Sequence, residues 1–211
     1  MQPGKTMNQL DVLFSRSTRL QDYALGYSAH LQSLLQKLDI KAVGQFVDAL
    51  LDARERGARV FFCGNGGSAS TASHFACDIA IGTRSAHKPF KVIALTDNNA
   101  VMTAVANDFG YEHLFTKQLE TVLESGDIVV AISASGNSPN VINALKFAKS
   151  RGNKTVALTG FDGGEMRNMA DIVIHTETAR GEYGPVEDMH MFLNHLVGTY
   201  LIRVVQAEKA R

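Results

Sequence analysis

The chain has no tryptophan, only two cysteines and only four prolines in 211 residues, and its 21 basic side chains are offset by 21 acidic ones. Each shortage excludes something. Two thiols cannot build the disulfide framework of a small secreted domain. Cys63 and Cys77 fall in apolar runs of strand and helix character, so they read as buried free thiols in a reducing compartment. A formal net charge of zero gives no long-range field to attract a nucleic acid or an anionic membrane, so any anion must be held by local groups. No apolar run approaches the roughly 18 residues of a membrane span, and Met1–Gln9 lacks the apolar centre of a signal peptide. The expectation is a cytoplasmic protein that engages neither nucleic acid nor membrane.

What is present is concentrated between Arg59 and Asp78. The apolar run Val60-Phe61-Phe62-Cys63 breaks at Gly64, and Gly64, Gly66 and Gly67 lead into an Ala/Ser-rich segment of helical character. This is a strand, a phosphate-sized turn and a helix. Glycines let the backbone approach a ligand closely, and the first N–H groups of a helix have no internal partners and carry the positive end of its dipole. An anion is the expected guest. His74 and Asp78, four residues apart, project from one face of that helix.

The remainder falls into order around this unit. Residues 7–38 have few breakers and a loosely helical apolar spacing, predicting one long or broken helix. Asp39 then stands at an N-cap position before an amphipathic helix that ends at Gly57. Short apolar runs at Val60–Cys63, Val92–Leu95, Ile128–Ser133, Thr155–Thr159 and Ile172–Ile174 predict five strands. Helices are expected over Ser68–Ile79, Ala100–Ala106, Leu114–Leu123, Pro139–Ser150, Gly164–Met169 and Val186–Val205. The alternation predicts an α/β fold: a doubly wound, mostly parallel, five-stranded sheet flanked by helices. Residues 1–38 form an N-terminal helical extension and 39–211 a single globular unit.

An internal echo sharpens the picture. Gly64-Asn65 and Gly136-Asn137 each follow an apolar strand and precede a serine, and each is followed further on by Ala-Leu-Thr, at 94–96 and 157–159. Two similar βαβ halves would place both turns beside one crevice at the carboxyl ends of the strands. The second turn carries a hydroxyl cluster, Ser133, Ser135 and Ser138, suited to a phosphomonoester. Gly64-x-Gly66-x-x-Ala69 also satisfies the dinucleotide fingerprint, with Asp97 as a ribose-binding acid, but that scheme leaves the second turn without a role.

The last helix places Glu187, Asp188, His190 and His195 in an otherwise apolar stretch, where charged and imidazole groups are costly to bury without partners. Asp188 and His195 share a face, with Glu187 offset by about 80° from His195. Together with His74 and Asp78 these residues make either a divalent-metal set or an acid–base set.

At these residues the sequence resembles the sugar isomerase (SIS) family, specifically its phosphoheptose isomerases. The resemblance rests on four stretches in order: Gly64-Asn65-Gly66-Gly67-Ser68 with His74; Asn107-Asp108-Phe109-Gly110; Ser133-Ala134-Ser135-Gly136-Asn137-Ser138; and the acid-His-x4-His helix. It implies an SIS fold and a cytoplasmic homotetramer, with sites at subunit interfaces. The implied enzyme converts sedoheptulose 7-phosphate to a glycero-manno-heptose 7-phosphate for heptose precursors of cell-surface polysaccharide. By the resemblance Ser68, Ser133, Ser135 and Ser138 hold phosphate, while Asn107 and Asp108 line the sugar site. Asn65, Gly66, Gly67, Ala134 and Glu187 complete the substrate-binding set. His74, Asp78, Glu187 and His195 fall on the positions of a divalent metal, zinc by preference, and Asp78 and His195 on those of the acid–base pair. Two departures stand out: Asp78 replaces the family's usual Glu, and Pro185-Val186-Glu187-Asp188 replaces an Arg-Ile-Gln-Glu run. The competing expectation is a non-catalytic SIS module that binds sugar phosphates or a protein partner; an intact Asp78 and His195 argue against it.

Overall fold

A computed structural model describes residues 7–85 and 87–209; the first six residues of the expected extension and the last two of the expected globular unit lie outside them. Five parallel strands form one sheet: β1 (Arg59–Gly64), β2 (Lys91–Ala94), β3 (Ile128–Ser133), β4 (Lys154–Thr159) and β5 (Ile172–His175), in the order β2-β1-β3-β4-β5. The sheet is entirely parallel. The order reverses between β1 and β3, whose carboxyl ends carry the two echoing turns. β3 is buried along its whole length and β1 beyond its first residue, whereas the edge strands β2 and β5 alternate in burial. That is why the central strands read as continuous apolar runs.

The helices are α1 (Gln9–Arg16), α2 (Leu20–Leu35), α3 (Ile40–Arg56), α4 (Gly67–Cys77), α5 (Asn99–Asp108), α6 (Leu114–Val122), α7 (Pro139–Ser150) and α8 (Tyr183–Lys209). Consecutive Phe61 and Phe62 point to opposite faces of the sheet and seed two cores. Phe62 stacks on Phe75 of α4 at 5.0 Å, with Phe46 of α3 edge-on to Phe75 at 6.2 Å; α8 closes this side through Leu193, Val197 and Leu201. Phe61 packs among Leu114, Phe115 and Leu119 of α6 and Leu145 of α7. α3 begins and ends as its residues dictate: Asp39 accepts from the Ala42 N–H at 3.0 Å, and Gly57 takes the left-handed conformation.

The N-terminal segment takes the broken form of its two expected alternatives, with Ser17 extended between α1 and α2, and three other local expectations change. Two side chains of the α8 region fasten the extension to the body: buried Glu182 takes the Gln9 N–H at 2.7 Å and His30 Nε2 at 2.8 Å, and Asp188 takes the Tyr27 hydroxyl at 2.6 Å. The helix expected to reach Ile79 stops being α-helical at Cys77 and widens into a π turn over Asp78–Gly82. The helix expected over Gly164–Met169 is a single 3-10 turn, Glu165–Asn168, because Gly163 and Gly164 both adopt positive φ ahead of it. Cys63 is buried, and burial pushes its thiol up to about 12, but Cys77 is exposed. It lies at the end of α4 along the groove at the β2 edge, while its neighbours Phe75 and Ala76 take the core positions. Among the described residues no helix is long and apolar enough to cross a membrane.

Candidate active site

Both turns at the switch point end in helices whose N-cap residues make no side-chain capping bond. Gly66, before α4, has no side chain to cap with, and Ser138, before the Pro139-started α7, makes no capping hydrogen bond. The Ser138 hydroxyl turns instead towards Ser133, 3.4 Å away, and Ser133 lies 3.3 Å from Ser135. Three hydroxyls thus converge beside an open helix N-terminus. Gly136 is indispensable to the loop: its φ is +62°, and a Cβ there would lie 2.0 Å from the Gly163 carbonyl oxygen. Ala134 is buried, its carbonyl accepting from the Gly160 N–H at 3.1 Å. Ser68 is also buried, in the first turn of α4. A cleft of about 800 Å3 opens against Ser135 and Asn137, walled by Phe161, Asp162, Arg180 and Tyr183.

The two turns are coupled. Asn65 and the buried Asn140 of α7 bond through their amides, and the Tyr111 hydroxyl donates to Asn65 Oδ1 at 2.9 Å. Sequence reasoning singled out neither Asn140 nor Tyr111. Asn140 had a signal, a polar residue opening the apolar run Val141-Ile142. Asn107 and Asp108 stand exposed at the end of α5, where the Asn107 amide donates to Asp108 at 2.8 Å, and they make no hydrogen bond to either turn. Asp97, the acid a dinucleotide site would use, accepts a short hydrogen bond from the Ser73 hydroxyl.

A second cluster forms where α4 meets α8. His74, Asp78 and His195 each offer a ligand atom within 4.8 Å of the others, and this is the assembled part of the expected metal set. His74 Nε2 is 3.3 Å from Asp78 Oδ2, and the two imidazole rings sit edge to face at 5.1 Å. Two imidazoles and one carboxylate fit a divalent cation, with a further position left open for substrate or water. Glu187 does not join them. Its carboxylate lies against Gly67 in the first turn of α4, where a Cβ would come within 2.4 Å of it. Burial, with the neighbouring Asp188 charge, raises its pKa. Asp188 faces Tyr27 rather than His195, and burial together with that carboxylate raises the Tyr27 pKa. His190 is wholly buried, and burial pulls its pKa down to about 4.

The cluster opens to solvent, with His195 exposed in a strip that also bares Phe192, Leu196 and Tyr200 of α8. A concavity of about 1330 Å3 runs instead along the β2 edge and includes none of the three.

The SIS domain profile matches residues 25–160. A phosphoheptose isomerase of Aliarcobacter butzleri is 39% identical over 150 residues, covering 70% of this chain and 77% of the relative. That of Helicobacter pylori is 36% identical over 176 residues, covering 81% and 89%. The solved structure of a phosphoheptose isomerase from Neisseria gonorrhoeae superposes with a TM-score of 0.77 at 31% identity, over 87% of this chain and 98% of that one.

Proposed function

The chain belongs to the SIS-domain phosphoheptose isomerases, and we propose that it interconverts sedoheptulose 7-phosphate and a glycero-manno-heptose 7-phosphate at the site where α4 and α8 meet. The observation that carries this reading is the convergence of His74, Asp78 and His195 in a chain whose two switch-point turns present three serine hydroxyls and uncapped helix N-termini.

The chemistry follows from the groups. Going from ketose to aldose, a base removes a proton from C1, an acid protonates the C2 oxygen, and an enediol results. Returning a proton to C2 while O1 loses its own completes the exchange. Asp78 is the carboxylate base and His195 the imidazole acid. Ser133, Ser135 and Ser138 with the N-terminus of α7 hold the phosphate. The phosphate takes no part in bond making; its binding energy fixes the position of the reacting carbons. Glu187, over the first turn of α4, and Asn107 and Asp108 are assigned to sugar hydroxyls. His74, Asp78 and His195 would hold a divalent cation, zinc by its preference for imidazole with carboxylate, which when bound would stabilise negative charge on the substrate oxygens.

The exposed apolar strip on α8 supports a homotetramer in which a neighbouring subunit covers the His195 face. We assign the enzyme to the cytoplasm and to the supply of heptose for cell-surface polysaccharide; the two free cysteines agree with a reducing compartment. A non-catalytic sugar-phosphate sensor would have no use for a carboxylate and two imidazoles in one cluster. Incubation with sedoheptulose 7-phosphate should yield the aldose phosphate. No turnover by zinc-loaded protein would overturn the assignment.

A further inference from the structure

Asn194 is a wholly buried amide in the apolar face that α8 turns to the core, between Leu193 and Val197. Burying an amide is unfavourable unless it is hydrogen-bonded. It makes one bond: its Nδ2 donates to Asp78 Oδ2 at 2.8 Å, while its Oδ1 has no partner. Here one end is satisfied, and its acceptor is Asp78.

The local architecture is fitted to that contact. Gly198, four residues on and therefore on the same face of α8, lies alongside Asp78: a Cβ at 198 would sit in ordinary contact with the Asp78 Cβ at 3.5 Å. The π turn beginning at Asp78 widens the backbone where the carboxylate must reach α8. His74 Nε2 also addresses Oδ2, so both protein contacts converge on one oxygen and Oδ1 is left without a protein donor.

Resting on the isomerase reading above, we infer that Asn194 is the positioning residue for Asp78: it pins Oδ2 and so presents Oδ1, in a fixed orientation, to the substrate carbon or to a cation shared with His74 and His195. A carboxylate bound on one side only would rotate about its χ2 and average its two oxygens. The buried amide selects one.

The test uses the full chain with two substitutions. Asn194→Leu keeps the volume and removes the donor. Asn194→Ser keeps a donor on a shorter arm that a bridging water can extend. Three quantities are read: kcat and KM with sedoheptulose 7-phosphate, Zn2+ affinity of the metal-free protein by titration, and the thermal midpoint of the metal-free protein. For the Leu variant kcat should fall about 10- to 100-fold with KM within about twofold, and Zn2+ affinity should fall about tenfold, the range for groups that orient metal ligands. Its midpoint should hold or rise, because an unpartnered buried oxygen has been removed. The Ser variant should lie between it and the parent. Parental kcat and Zn2+ affinity in the Leu variant would overturn the inference. So would a Leu variant that fails to fold beside a Ser variant that folds with parental kcat and affinity, since the amide would then be structural. A parent that binds Zn2+ without turning over this sugar refutes the isomerase reading alone, and the affinity series still decides on Asn194. A parent that does neither leaves Asn194 nothing to position, and the inference falls with it.

Discussion

The side chains of Asn65 and Asn140 exchange two hydrogen bonds, Asn65 Nδ2 donating to Asn140 Oδ1 at 2.9 Å and Asn140 Nδ2 donating to Asn65 Oδ1 at 2.8 Å. Asn65 belongs to the turn after β1 and Asn140 to the first turn of α7, after β3. The pair therefore spans the place where the strand order reverses, and ties together the two halves that the sequence shows as an internal echo. Asn140 is buried and also accepts from the Val141 N–H at 3.0 Å, a contact that holds its amide independently of Asn65.

Replacing Asn140 by Leu removes the acceptor of Asn65 Nδ2 and one of the two donors to Asn65 Oδ1, leaving only the Tyr111 hydroxyl, while filling the space. The cost of leaving such groups unpaired is about 1–3 kcal/mol. Urea unfolding should show a loss in that range, and KM for the phosphorylated substrate should rise because the two turns lose their register. A variant with parental stability and KM would show that the amide pair is incidental.

The serine turn should act on phosphate alone. With the Ser133 hydroxyl 3.3 Å from that of Ser135 and 3.4 Å from that of Ser138, Ser135→Ala with Ser138→Ala removes two of three hydroxyl donors without removing a capping bond of α7. Binding of sedoheptulose 7-phosphate should weaken by tenfold or more, at roughly 1.4 kcal/mol per tenfold, while weak binding of unphosphorylated sedoheptulose stays as it was. Equal loss for both ligands would assign the serines to the sugar or to the fold.

The five strands were legible because burial on both faces writes itself as uninterrupted apolar runs, as in Val129-Val130-Ala131-Ile132. The two turns were legible because glycine and serine chemistry is local. What escaped was whatever depends on tertiary approach. The π turn at Asp78 has no signature in its residues, and the exposure of Cys77 follows from which face α4 turns to the β2 edge. Asp188 satisfied the helical spacing to His195 yet is claimed by Tyr27 on α2, a partner 161 residues away that no periodicity within α8 can reveal. Asn140 and Asn194 carry no charge to mark them within apolar helices, although burying an amide carries the same demand for a partner as burying an acid or an imidazole.

His190 should make the protein acid-sensitive. Burial, with the Thr159 backbone opposing and His175 adding, lowers its pKa from 6.5 to about 4 in the folded state. Between those values the unfolded chain binds a proton that the folded chain does not, so stability is full above about pH 6.5 and declines as the pH falls towards 4. The loss is up to about 3 kcal/mol from this one group. Urea midpoints measured across that window should slope downward for the parent and flatten for His190→Phe. An identical slope in both proteins would place the acid sensitivity on other groups.

Asp78 carries the most demanding expectation, because the isomerase reading asks it to be a proton acceptor and a cation ligand at one place. Asp78→Asn keeps the size and one oxygen but loses the basicity and the charge, and it sets an amide against the Asn194 donor at Oδ2. Turnover should fall by at least about a hundredfold, the usual loss with a general base, while phosphate-dependent binding at the serine turn persists. Asp78→Glu keeps the carboxylate on a longer arm and should retain measurable activity. Zinc binding gives a readout free of turnover. Zn2+ at a hundred times its dissociation constant stabilises the folded parent by about 2.7 kcal/mol, or about 5–10 °C in thermal midpoint for a chain of this size. Chelation should abolish that shift in the parent and have little to remove in Asp78→Asn. An Asn variant that turns over substrate at the parental rate, with the same chelator-sensitive midpoint, would make Asp78 an ordinary surface carboxylate and move the chemistry elsewhere.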